Sequence, residues 1–140
     1  MAIRAVDVAA VAVGAASGLA IENATRRYFP ATRTQLGAGG LMIAAVIYPV
    51  ARREKRLSFA SAREVAGVAA AGAVVAKAQA RGATPARALI AAGWAAHALF
   101  DAQHNAGPGG RLPRWYPALC AGYDLAFAAA LLRPSVRTAP

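Results

Sequence analysis

The residues in this chain best able to do chemistry lie in one run, ALIAAGWAAHALFDAQH, at positions 88–104. Trp94, His97, Asp101 and His104 follow one another at steps of three, four and three, which places them in a narrow stripe on one helix face. GPGGRLP comes next, a turn by composition, and then RWYPALCAGYDLAFAAALL. In that segment Tyr116, Cys120, Asp124 and Phe127 form a second stripe at helical spacing. A short turn makes the two helices antiparallel neighbours, so the stripes can face each other. Ionisable groups inside apolar helices cost about 2.5–3.5 kcal/mol each on insertion scales, and are functional candidates for that reason.

Several chemistries fit this set. His97 and Asp101, and Asp101 and His104, have the spacings at which two side chains of one helix share a metal ion. His97 and His104 are about 10.5 Å apart along a helix axis. All three on one ion is strained, so a divalent metal needs Asp124, Cys120 or Glu64 to complete its shell. The candidate ligands are His97, Asp101, His104 and Asp124, with Trp94, Cys120, Asp7 and Glu64 as further members of the cluster. The same residues also read as an Asp–His hydrogen-bonded pair that fixes helix packing, or as a proton or ion relay. A lipid or lipophilic cofactor walled by Trp94, Trp115 and Tyr116 is a further reading. Those aromatics also suit interfacial anchoring, Trp115 and Tyr116 above all, because they adjoin Arg114.

The elements that must position these side chains read as an all-α membrane bundle. The chain has 140 residues, 58% hydrophobic and 16% charged, with a mean hydropathy of +0.39. A soluble domain carries about a quarter charged residues. Five apolar segments, at 5–23, 34–51, 62–80, 85–104 and 114–132, fit one domain of five transmembrane helices, each near the 20 or so residues a span requires. No charge lies between Arg33 and Arg52, and only Asp124 between Arg114 and Arg133, so the second and fifth segments are the clearest spans. The first and third are Ala-rich and interrupted by Asp7 and Lys77, which suggests helices packed inside the bundle. A soluble bundle is disfavoured because helices apolar on all sides leave too little polar surface.

Sixteen Lys and Arg against six Asp and Glu give a formal net charge of +10. The basic residues punctuate the apolar runs rather than gathering on one face or arm, which excludes nucleic acid as the expected partner. All but two of them are Arg, and Ala is abundant, as in a GC-rich genome. Cys120 is the only cysteine, so an intrachain disulfide is ruled out. The apolar run after Arg4 lacks an A-x-A-type cleavage site leading into a polar domain, and reads as a retained helix. GAGG at positions 37–40 lacks the Lys-Ser/Thr and strand context of a phosphate loop and reads as close packing. No serine nucleophile elbow is present.

Small residues four apart (Gly14 and Gly18, Gly40 and Ala44, Gly67 and Ala71, Gly72 and Ala76) allow close approach of membrane helices. The densest basic loop, ARREKR at 51–56 with Arg63 beyond, places that side in the cytoplasm. Counted in full, loop included, the basic residues divide equally, eight on each side, so only this clustering sets the orientation. With five helices, Asp7, Glu64, His97, Asp101, His104 and Asp124 share one half of the membrane and Glu22 falls at the other end. Inverting the whole molecule preserves this grouping.

GWAAHALFDAQH followed by CAGYD resembles an uncharacterised family of small bacterial polytopic integral membrane proteins. Its pattern is Gly-Trp-x-x-His-x-x-x-Asp-x-x-His, a Pro-containing turn, then Cys-Ala-x-x-Asp. The matching residues are Gly93, Trp94, His97, Asp101, His104, Cys120, Ala121 and Asp124, over about a third of the chain. Phe100 and Asn105 stand where the family has Trp and a second His. The resemblance implies the membrane class and a role for the cluster, and carries no activity. The expected location is the inner, cytoplasmic membrane in a multi-pass topology. The expected partners are the bilayer, a lipid or lipophilic ligand, and a second copy in a homo-oligomer. The expected activity is a metal-dependent hydrolase or other lipid-modifying enzyme, or alternatively a translocating or structural module.

Overall fold

A computed structural model describes residues 4–52, 58–104 and 111–134. Each of the five apolar segments forms one helix: α1 (Ala5–Tyr28), α2 (Arg33–Ala51), α3 (Phe59–Gln79), α4 (Ala83–Gln103) and α5 (Tyr116–Leu131). No strand occurs among the described residues. Ala, the strongest helix former, dominates these stretches. The boundaries are set by local chemistry. Ser58 and Ser61 form a capping box that starts α3, and Pro117 sits in the first turn of α5, where its missing N–H costs nothing. The basic loop at 53–57, the turn at 105–110 with Asn105, and the tail at 135–140 with Arg137 lie outside the described residues.

Three helices, α1, α2 and α3, are long and apolar enough to cross a membrane. The fifth segment, clearest by charge, yields a helix of only 16 residues. That is about 24 Å at 1.5 Å per residue, short of a hydrocarbon core of about 30 Å. The chain between Pro113 and Trp115 is a turn, so α5 starts two residues later than the apolar run.

The expectation that α1 and α3 are packed inside the bundle is corrected. Only 22% of the apolar window of α1 and 11% of that of α3 are buried. Their outward positions carry Val8, Val13, Val65 and many alanines, all exposed. Apolar side chains without charge suit a lipid-facing surface as well as a core, so hydropathy could not separate the two. The central helix is instead α4, which contacts α2, α3 and α5, while α5 also carries α1.

Helices α1 and α5 run parallel in the closest contact of the fold. A Cβ added to Gly14 would lie 1.9 Å from the Leu119 carbonyl oxygen, and one on Gly18 2.4 Å from that of Tyr123. From the other side, a Cβ on Gly122 would lie 2.2 Å from the Val11 oxygen. Backbone meets backbone here, as small-x-x-x-small pairs permit. The core itself is an apolar layer of Leu41, Ile90, Trp94, Phe127 and Leu131, filled in by alanines.

Candidate functional site

The stripe on α4 and the stripe on α5 face each other beside that layer. His97 Nδ1 lies 2.8 Å from Asp124 Oδ2, a hydrogen bond between the helices, and 3.4 Å from Asp101 Oδ2 one turn further along α4. Asp101 is 0% and Asp124 2% exposed. One ligand atom from each of the three residues falls within 4.8 Å of the others. Neither carboxylate oxygen of Asp101 has a hydrogen-bond partner among the described residues, and neither has the Tyr48 hydroxyl. Tyr48 is an electrostatic and hydrogen-bonding neighbour of Asp101, although its hydroxyl falls outside strict hydrogen-bond geometry.

His104 does not join this trio. α4 ends at Gln103, and His104 takes an extended backbone that turns it off the stripe. Its Nε2 lies 3.6 Å from Glu64 Oε1, and its ring packs 4.0 Å from the ring of Tyr48, centroid to centroid. Glu64 is held in turn by Arg52, whose Nε donates to Glu64 Oε2 at 2.9 Å. The second group, Arg52, Glu64 and His104, closes the cluster at the end of the bundle. Phe100 bridges the two groups, stacked on His104 and tilted against His97, with the Arg63 guanidinium 5.4 Å from its centroid.

The other candidates are placed as follows. Asp7 is held by Arg4 at the start of α1, through Nε–H and Nη2–H donors at 2.9 and 2.8 Å, and lies outside the cluster. Trp94 is buried and is a packing residue: its Nε1–H donates to the Gly37 carbonyl at 2.9 Å and its ring packs at a tilt against Phe127. Gly40 faces the same ring, and a Cβ there would lie 3.0 Å from it, so GAGG packs α2 on α4. Cys120 is half-buried one turn before Asp124, beside Tyr116, and stays outside the trio. Trp115 is exposed at the start of α5, as an interfacial anchor would be.

A slot of about 190 Å³ opens onto His97 and Glu64 from between α3 and α4, lined otherwise by apolar groups, among them Gly67, Val74, Ala96 and Phe100. Gly93 borders it, and a Cβ there would clash with Leu41 Cδ2 at 2.7 Å. Ala70 and Ala96 on its rim are exposed, so the slot opens sideways, toward the lipid of a spanning bundle.

Two features were missed by the sequence reading. Tyr48 was hidden in an uncharged run. Arg33, counted as a flanking charge, is 1% exposed and forms a salt bridge with the 0% exposed Glu22 at the opposite end of the bundle. Its Nη groups also donate to the carbonyls of Ala130, Leu131 and Arg133, at 2.9–3.0 Å. Arg33 thereby caps α5, whose last carbonyls lack helical partners. The available signal was a Glu and an Arg of opposite sign flanking a Pro-containing turn. Comparison of the chain with protein-family models, curated proteins and solved structures finds no match in any of the three.

Proposed function

We propose that this protein is a polytopic membrane enzyme, a divalent-metal-dependent hydrolase of a lipophilic substrate, with His97, Asp101 and Asp124 as the metal ligands. The observation that carries the reading is Asp101, a fully buried carboxylate with no hydrogen bond, set against a second buried carboxylate and a single imidazole. Two carboxylates and one imidazole cannot reach neutrality without an added proton or cation, and unpaired charge in an apolar interior is costly. One divalent ion with two carboxylates and a neutral imidazole sums to zero. Metal bonds of about 2.0–2.2 Å give ligand-to-ligand edges of about 3.0 Å at octahedral and 3.4 Å at tetrahedral angles. The separations from His97 to Asp124 and Asp101, 2.8 and 3.4 Å, suit that polyhedron.

Three protein ligands leave coordination positions for water and substrate, which is the pattern of catalytic rather than structural sites. An apolar slot reaching His97 from between α3 and α4 fits an alkyl chain arriving from the bilayer. Five spans, with α4 and α5 shielded by their neighbours, accommodate this arrangement.

The His97–Asp124 hydrogen bond favours a second reading, a triad that shares a proton. In that reading a proton on Asp101 is shared with the neighbouring Asp124 carboxylate. A translocation path is disfavoured because the layer of Leu41, Ile90, Trp94 and Phe127 separates the trio from Glu22 and Arg33. Metal analysis decides. Wild-type protein is expected to hold one divalent ion per chain, His97→Ala and Asp101→Asn less than a tenth of that, and acyl-ester hydrolysis should follow the metal. Wild type that stays metal-free after incubation with zinc or manganese overturns the metalloenzyme reading.

A further inference from the structure

At the end of the bundle opposite the His/Asp site, α2 and α4 begin and α3 ends around a cavity of about 560 Å³. This is a volume typical of small-molecule sites, about 300–1,000 Å³. Its lining is divided. Arg81, Arg87, Thr34 and Gln35 stand at the polar side, and Met42, Val75 and Ile90 form the apolar side. We propose that this cavity binds an anionic phospholipid, with its phosphate on Arg81 and Arg87 and part of an acyl chain along Met42, Val75 and Ile90.

Charge at this end is one-sided. Arg26, Arg27, Arg33, Lys77, Arg81, Arg87 and Arg133 all lie there by topology, and Glu22 is the only carboxylate among the described residues of that end. Glu22 is committed to Arg33. The backbone adds donors. The first turns of both α2 and α4 line the cavity, through Arg33, Thr34 and Gln35 and through Ala83. Neither helix has a side-chain cap: Thr32 makes no cap hydrogen bond, and the α4 cap residue is Gly82. By contrast, α3 is closed by its Ser58–Ser61 box at the other end. Uncapped first-turn N–H groups and the positive ends of two helix dipoles favour a phosphate. Arginines supply planar, charge-assisted donors to its oxygens. Free phosphate would satisfy that chemistry equally, but would leave the apolar side of the cavity unfilled. A phospholipid matches both sides and reaches the site from the leaflet around it.

The site is remote from His97 and does not depend on the proposed hydrolase. The test is native mass spectrometry of the full chain released from nanodiscs of mixed phosphatidylglycerol and phosphatidylcholine. One retained phosphatidylglycerol per chain is expected, favoured at least fivefold over phosphatidylcholine. Arg81→Gln/Arg87→Gln should bring that ratio to parity, and Lys77→Gln, outside the cavity, should leave it unchanged. Ala38→Phe crowds the apolar side without altering charge and should also abolish retention, so it decides the matter if the double variant fails to fold. No preference in wild type, or a preference that survives both variants, overturns the proposal. Inorganic phosphate that raises the melting temperature as much as phosphatidylglycerol does overturns the lipid assignment.

Discussion

Glu22 and Arg33, eleven residues apart on α1 and α2, form a salt bridge in which both side chains are almost wholly withdrawn from solvent. Removing one partner of such a pair strands the other charge and costs about 3–5 kcal/mol, whereas removing both is far less damaging. Glu22→Gln and Arg33→Met are therefore each expected to destabilise strongly. Their double variant should recover about 1–3 kcal/mol relative to the sum. Chemical unfolding in detergent measures the cycle, and strict additivity would show that the bridge is energetically idle.

Gly14 and Gly72 separate packing from helix propensity. Gly14→Ala sets a methyl group 1.9 Å from the Leu119 oxygen, so α1 and α5 must part, at a cost of about 1–3 kcal/mol or more. Gly72 has nothing within 4 Å of an added Cβ. Gly72→Ala should instead stabilise by about 0.5–1 kcal/mol, as helix-interior replacements do. The two melting temperatures should move in opposite directions.

Chelation should lower the melting temperature of the wild type. An ion at a hundredfold its dissociation constant contributes about 2.7 kcal/mol, provided it binds the native state alone. The His97→Ala/Asp101→Asn double variant should melt identically with and without chelator. A pure packing pair predicts the reverse, with no chelator effect and a loss of stability in each single variant.

Filling the slot should spare the metal. Ala96 lies on its exposed rim, so Ala96→Trp is expected to leave metal content unchanged and to reduce hydrolysis of a long-chain ester at least tenfold. Parallel metal analysis and turnover assays check both halves. Equal turnover would show that substrate enters elsewhere.

If all five helices span, the two termini lie on opposite sides of the membrane. Reporter fusions after Arg4 and after Pro134 should give opposite localisation, and the same localisation for both would refute the five-span topology.

The sequence made the helices and the α4–α5 face legible because both rest on periodicity. Apolar runs punctuated by Gly, Pro and Arg locate five helices, and the three- and four-residue steps align His97, Asp101 and Asp124. It did not show where a helix stops turning. His104 falls just past the end of α4 and so pairs with Glu64 rather than with the trio. Asp7 was counted into the cluster although Arg4, three residues before it, already neutralises it. Arg33 escaped notice because a charge at the edge of an apolar run is ordinarily solvated. Its burial depends on the C-terminal carbonyls of α5, some hundred residues away.

The interlocked glycines of α1 and α5 also constrain how the chain is made. α1 leaves the ribosome first, yet the surface that fits it belongs to the last of the five helices. Until α5 is inserted, Gly14 and Gly18 present a bare strip of backbone with only lipid or the insertion machinery against it. Closing the bundle therefore waits on a contact between residues more than a hundred positions apart, the kind of non-local step that slows assembly. A nascent chain halted before α5 should hold α1 only through its Glu22–Arg33 link to α2, and so leave it open to quality-control proteases however well α2, α3 and α4 have already packed.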